Sequence, residues 1–169
     1  MTFLVPFDGT ELAEAALVRA TEFGAIFEED VLAVSVIPRG NADYARDRGW
    51  AESDETFDMN AVVSALHTQV TALCPSADFR HVVVDQFAPS GTISRRIRET
   101  ARKENASMVF IGSENAGHMV TSVSSVGGHV ATDDAYDVTI VRHPRPARIA
   151  KHSDAVPERK PKSHFHLPE

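Results

Sequence analysis

A chain of 169 residues with 43% hydrophobic side chains can bury one sizeable core and is short for two, which favours a single domain. The formal charge of −7 conceals a split: the last 27 residues hold six Lys/Arg against three Asp/Glu, so the body before them carries −10. An acidic body repels a phosphate backbone and disfavours nucleic-acid partners, and no apolar run approaches the roughly 18 residues of a membrane span. The start, MTFLVPFDGT, lacks the charged residues and greasy core of a secretion signal, so the expected compartment is the cytoplasm.

Thr2 to Pro6 (TFLVP) reads as a short apolar strand. After the turn FDGT, Leu12, Ala13, Ala16, Leu17 and Ala20 recur at three- and four-residue spacing, the period of a helix, and Gly24 suits its C-terminus. Val31 to Pro38 (VLAVSVIP) is apolar and β-branched, a second strand expected to be buried on both faces. Arg39 to Glu55 (RGNADYARDRGWAESDE) is charged and lacks a period, which makes it the longest loop of the body and a candidate lid, partner surface or disordered segment.

A second helical pattern covers Phe57 to Leu73, with Val62, Val63, Leu66, Val70 and Leu73 on one side. The lone cysteine, Cys74, has no second thiol with which to form a disulfide or metal pair and is expected as a plain buried thiol. FRHVVVD, from Phe79 to Asp85, follows as a strand, and Ser90 or Thr92 can cap a third helix with Ile93, Ile97 and Ala101 on its buried stripe. Arg95, Arg96, Arg98, Arg102 and Lys103 then fall on its solvated faces. SMVFIG is the fourth strand, a short helix takes in Val123, Val126 and Val130, and VTIVR from Val138 to Arg142 is the fifth strand.

Five strands alternating with four helices are best satisfied by a single doubly wound α/β domain, a five-stranded parallel sheet with helices on both faces. The expected strand order is 3-2-1-4-5, which joins the ends of the first and fourth strands at the topological switch point. Residues 143–169 contain five prolines and few apolar side chains, and are expected to form a flexible basic tail beyond the domain of residues 1–142. His164 and His166 in that tail lack the further ligands of a metal site.

No GxxxxGK[ST] loop, GxGxxG turn, GxSxG elbow, HExxH helix or CxxC pair occurs, and the eight histidines show no triad spacing, so no catalytic constellation is legible. Two loops at the switch point remain. In FDGT, Asp8 either caps the next helix or accepts hydrogen bonds from a ribose or an adenine amine. In GSENAG, Gly112, Asn115 and Gly117 suit a strand-to-helix turn and equally a backbone nest that receives an anion. Ser122, Ser124 and Ser125 are placed to cap the last helix or to meet a terminal phosphate there, and His118 and Thr121 add polar atoms nearby.

VPFDGTELAEAAL, ASMVFIGS, SSVGGHVA and VTIVRH together resemble the universal stress protein family, over residues 2–142. That family combines a VP-x-D-G-[ST] opening, a fourth strand ending in glycine, and, in its ATP-binding members, a loop of Gly, two residues, Gly, nine residues, then Gly-[ST]. The resemblance implies an adenine-nucleotide pocket in some members, a dimer through the fifth strand, and a role in stress survival. Carried onto this chain it sets Asp8 near the nucleotide, Val36 against adenine, Gly112 at the first loop glycine and Ser125 near the γ-phosphate. The loop departs from the pattern: Asn115 replaces the second glycine, Ser124 replaces the last, and eight residues separate them. An added Cβ and a shorter loop narrow the approach of backbone amides to phosphate.

The leading expectation is therefore a cytoplasmic stress-response regulatory protein with a degenerate nucleotide loop, no rapid turnover and an unidentified protein partner. Its dimer would form through Val138, Thr139, Ile140 and Val141, whose edge backbone a second copy can pair. The alternative is a switch that binds ATP or AMP with Mg²⁺ and hydrolyses it slowly or not at all. A small α/β enzyme of another doubly wound family stands third, on fold analogy alone.

Overall fold

The computed structural model describes residues 1–52, 56–89, 91–113 and 126–144. Five strands, β1 (Thr2–Pro6), β2 (Asp30–Pro38), β3 (Asp78–Val84), β4 (Ala106–Gly112) and β5 (Asp137–Val141), form one sheet in the order β3-β2-β1-β4-β5. Every pairing is parallel; Leu4 stands beside Leu32 on one side and Val109 on the other, and Val109 beside Val138. The doubly wound sheet read from the sequence is the sheet observed.

Alternation along the strands divides the interior into two layers, because successive side chains of a strand face opposite ways. Phe3, Val5, Ala33, Ile37 and Phe110 pack with α1 (Glu11–Phe27) and α3 (Met59–Leu73) on one face. Leu4, Leu32, Val34, Val36, Val109 and Ile111 pack on the other with α4 (Thr92–Lys103) and α5 (Val126–Ala131). The polar exception in the middle of β2 is Ser35, whose buried hydroxyl donates to the Phe7 carbonyl at 2.6 Å and so meets no unpaired desolvation cost.

Four local expectations are corrected. The first helix does not end at Gly24: it runs to Phe27 and closes on Glu28 in the left-handed conformation at φ 57°. Gly24 is needed where the chain doubles back, since a Cβ there would stand 2.8 Å from the Glu29 carbonyl oxygen and 3.0 Å from Val31 Cγ2. The segment after β2 is not irregular throughout; it contains a six-residue helix, α2 (Ala42–Asp47), capped by the Asn41 side chain on the Tyr44 amide at 3.0 Å. Five helices, not four, therefore stand among the described residues. Finally, Thr92 is the first residue of α4 and not its cap, a place taken by Gly91 at φ 85° with no side-chain cap bond. The expectation for Ser90 lies outside the described residues, as does that for Val123, although Val126 and Val130 do fall in α5.

α3 is capped by Asp58, whose carboxylate accepts from the Asn60 and Ala61 amides at 3.0 and 3.3 Å, and begins close to where the second helical pattern of the sequence starts. Cys74 terminates it as a buried free thiol, with its pKa pushed up by burial. Beyond α5, Asp133 is buried and accepts from Arg102 Nη2 at 2.8 Å and from the Ala135 amide at 3.0 Å. Tyr136 hydroxyl donates to the Val130 carbonyl at 2.7 Å, which ties the α5–β5 connection back to α5. Residues 145–169, which include His164 and His166, lie outside the described part.

Candidate functional site

At the C-terminal ends of β1 and β4 the chain departs to opposite faces of the sheet, and a cavity of about 360 Å³ opens between the two departures. Asp8, Val36 and Gly112 all line it. Its apolar lining comes from Val34, Ile111 and Val130 of the sheet and α5, and from Ile93 and Ile97 of α4. Asn115, Gly117, Ser124 and Ser125, like His118, Thr121 and Ser122, lie outside the described residues.

Asp8 does not cap the first helix. That role belongs to Thr10, whose Oγ1 accepts the Ala13 amide at 3.3 Å. Asp8 supports the cap from behind: its Oδ1 accepts the Thr10 amide at 3.1 Å and the Thr10 hydroxyl at 2.6 Å. The turn needs Gly9 at φ +82°, and the Gln69 side chain of α3 pins it by donating to the Gly9 carbonyl at 3.1 Å.

The second oxygen of Asp8 is engaged as well, by a residue the sequence reading passed over. Arg48 Nη1 donates to Asp8 Oδ2 in an ion pair that bridges the end of β1 and the segment following α2. The guanidinium carbon sits 4.5 Å from the centre of the Tyr44 ring, a cation–π arrangement, and Tyr44 meets Trp50 edge-to-face at 5.6 Å. Trp50 Nε1 donates to the Asp8 carbonyl at 2.8 Å, so the same short segment grips Asp8 by side chain and backbone together. Arg48 and Tyr44 both line the cavity, and Arg48 Nε is buried there without an acceptor among the described residues. Burial raises the Tyr44 pKa against the opposing pull of the Arg48 charge. The only advance sign of this arrangement was the clustering of Tyr44, Arg48 and the chain's single tryptophan in a loop otherwise made of small and charged residues.

Gly112 is glycine for a reason independent of phosphate. A Cβ on it would lie 2.1 Å from the Leu12 carbonyl oxygen, so the end of β4 abuts the first turn of α1. The next amide, Ser113 N–H, donates to the Val141 carbonyl at 3.1 Å and extends the ladder toward β5. A smaller cavity of about 190 Å³ shares Tyr44, Ile93 and Val126 with the first and reaches toward the end of β3. No group of three metal-ligating side chains and no helix long and apolar enough to cross a membrane is found among the described residues.

A doubly wound parallel sheet with a cavity at the β1/β4 switch point is an α/β domain of the nucleotide-binding-like kind. The chain belongs to the universal stress protein family, whose sequence pattern matches residues 1–142. Among solved structures it is similar to a universal stress protein in complex with cAMP, at 22% identity over 84% of this chain and 97% of that one, with a TM-score of 0.57. A protein of the family from Burkholderia pseudomallei shares 19% identity over 83% and 94% of the two chains, at a TM-score of 0.53. A universal stress protein from Archaeoglobus fulgidus shares 16% over 83% and 91%, at 0.50. No curated protein matches the sequence.

Proposed function

We propose that this protein is a cytoplasmic stress-response regulator that receives an adenine nucleotide in the β1/β4 cavity as an effector and does not turn it over. The observation that carries the reading is the convergence of Asp8, Val36 and Gly112 on one cavity with both apolar and charged walls. Val34, Val36, Ile111 and Val130 suit the faces of a flat base, the Asp8 carboxylate suits a hydroxyl or amine donor, and Arg48 Nε, without an acceptor among the described residues, suits an acceptor. The structural neighbour in complex with cAMP supports the ligand class. The altered loop residues Asn115 and Ser124 favour AMP or a cyclic nucleotide over Mg²⁺-ATP, because fewer backbone amides can approach a triphosphate closely.

Mass spectrometry of small molecules released from the purified chain, followed by calorimetry with AMP and with Mg²⁺-ATP, tests this directly. Bound or bindable adenine nucleotide is expected, with Asp8→Ala abolishing the heat. A chain that carries no nucleotide and gives no heat at millimolar ligand defeats the effector reading, and rapid multiple turnover defeats the regulatory one.

The regulator is further proposed to be a homodimer through β5. This strand closes the sheet on one side, and Val138, Thr139 and Ile140 are only partly buried.

A further inference from the structure

We propose that Arg48 competes with the ligand for Asp8, and that this competition makes the cavity select phosphorylated nucleosides over free ones. The inference rests on the adenine-nucleotide reading above and assigns its discrimination to one side chain. Both carboxylate oxygens of Asp8 are already occupied, Oδ1 by the Thr10 amide and hydroxyl and Oδ2 by Arg48. Oδ1 already carries two donors, which directs a ligand hydroxyl or amine to Oδ2, and one that takes the place of Arg48 Nη1 there draws the guanidinium away.

What happens next depends on the ligand. The guanidinium stands against Tyr44 in a partly buried cavity, and its Nε already lacks an acceptor among the described residues. A neutral nucleoside that displaces it from Asp8 leaves a charged, planar group with still fewer partners, which a desolvated site penalises. A phosphate offers two oxygens in the geometry that a guanidinium matches, so the displaced Arg48 exchanges one carboxylate for another anion. The segment that carries Arg48 stays anchored meanwhile by the Trp50 bond to the Asp8 carbonyl and by the Asn41 side chain, whose amide donates to the Gln86 carbonyl at 3.0 Å. Arg48 is thus a specificity-determining residue, and the Arg39 to Glu52 segment is the device that delivers it.

Calorimetric titration of the full chain with adenosine and with AMP, on the native protein, Arg48→Gln and Arg48→Lys, tests the assignment, with urea midpoints checking that each variant is folded. The native protein is expected to prefer AMP by about tenfold or more, the scale of one charge-assisted hydrogen-bond pair. In Arg48→Gln adenosine should bind about threefold or more tightly than before, because its competitor is gone, while the preference for AMP shrinks to about threefold or less. Arg48→Lys should restore part of the preference through charge alone. An unchanged AMP-to-adenosine ratio in Arg48→Gln, or weaker adenosine binding, overturns the proposal and leaves the nucleotide reading standing. Absence of heat from both ligands with all three proteins overturns the nucleotide reading itself, and this assignment with it.

Discussion

Gly112 at the end of β4 lies so close beneath Leu12 in the first turn of α1 that a single added methyl group would stand 2.1 Å from the Leu12 carbonyl oxygen. Both segments border the cavity, through Gly112 on one side and Ala13 on the other. Gly112→Ala must push them apart, and overpacking of this kind costs about 1–3 kcal/mol. A lowered urea midpoint together with weakened ligand binding is expected; a variant as stable as the native chain would show that the close approach does not exist.

Arg102 and Asp133 form the second testable contact. Burial alone would raise the Asp133 pKa, yet the Ala135 amide and the Arg102 guanidinium outweigh it and hold the carboxyl below its ordinary 3.8. The Asp133 side chain is 1% exposed, so Arg102→Met leaves a buried carboxylate with the Ala135 amide but without its guanidinium partner, at a cost of about 1–3 kcal/mol near neutral pH. A depressed folded pKa stabilises above the unfolded value and ceases to do so as pH falls through the folded one. The stability gap between native protein and variant should therefore be full at pH 7 and narrow in acid below 3.8, read from urea midpoints at a series of pH values.

Tyr136 moves the other way, its pKa pushed up to about 12 by burial and by the neighbouring Asp133 charge. A raised folded pKa stabilises below the unfolded value of 10.0 and stops doing so as pH rises toward about 12. The two tyrosines of the chain, Tyr44 and Tyr136, both titrate above 10.0, so phenolate absorbance should appear late in an alkaline titration. Tyr136→Phe is expected to lose about 1 kcal/mol with the hydrogen bond to Val130 and to remove the later step. Two phenols titrating together at 10.0 in the folded protein would contradict the burial of Tyr136 and the partial burial of Tyr44.

Trp50→Phe keeps an aromatic ring beside Tyr44 and deletes the N–H that holds the Asp8 carbonyl. Local opening of the Arg39 to Glu52 segment should become easier by about 1 kcal/mol and make it an earlier site of limited proteolysis, while the global urea midpoint changes little. Unaltered cleavage kinetics would mean that the indole bond is not what secures the segment.

Pairing through β5 makes the last prediction. Ile140→Pro withdraws a backbone N–H from the edge strand and should turn a dimer into monomers or aggregates on size exclusion. An unaltered dimer would move the interface to another surface.

What could be read in advance followed from burial. β2 is covered on both faces and appears as an apolar run broken only by Ser35, and α1 and α3 present apolar stripes with a turn's periodicity, so the order of elements and the sheet topology were legible. α2 was not, because Ala45 is its single buried residue and six residues cannot establish a period; it is held by its local Asn41 cap and by Trp50, whose bond to the Asp8 carbonyl forms only once the end of β1 is in place. Gly24 was misread because a glycine required by a neighbouring strand looks the same as one required by a helix end. At the site, Asp8, Val36 and Gly112 came from a motif, whereas Arg48 is forty positions from its partner Asp8 and belongs to no motif.

One last consequence comes from Cys74. It is the only thiol in the chain, it is 5% exposed beneath the sheet face that carries α1 and α3, and burial keeps it protonated. An alkylating reagent can reach it only when that layer opens, so the rate of irreversible trapping counts openings. The molecule consequently holds an internal clock for its own unfolding, one that can be read in a crude extract by mass alone and run with and without added nucleotide.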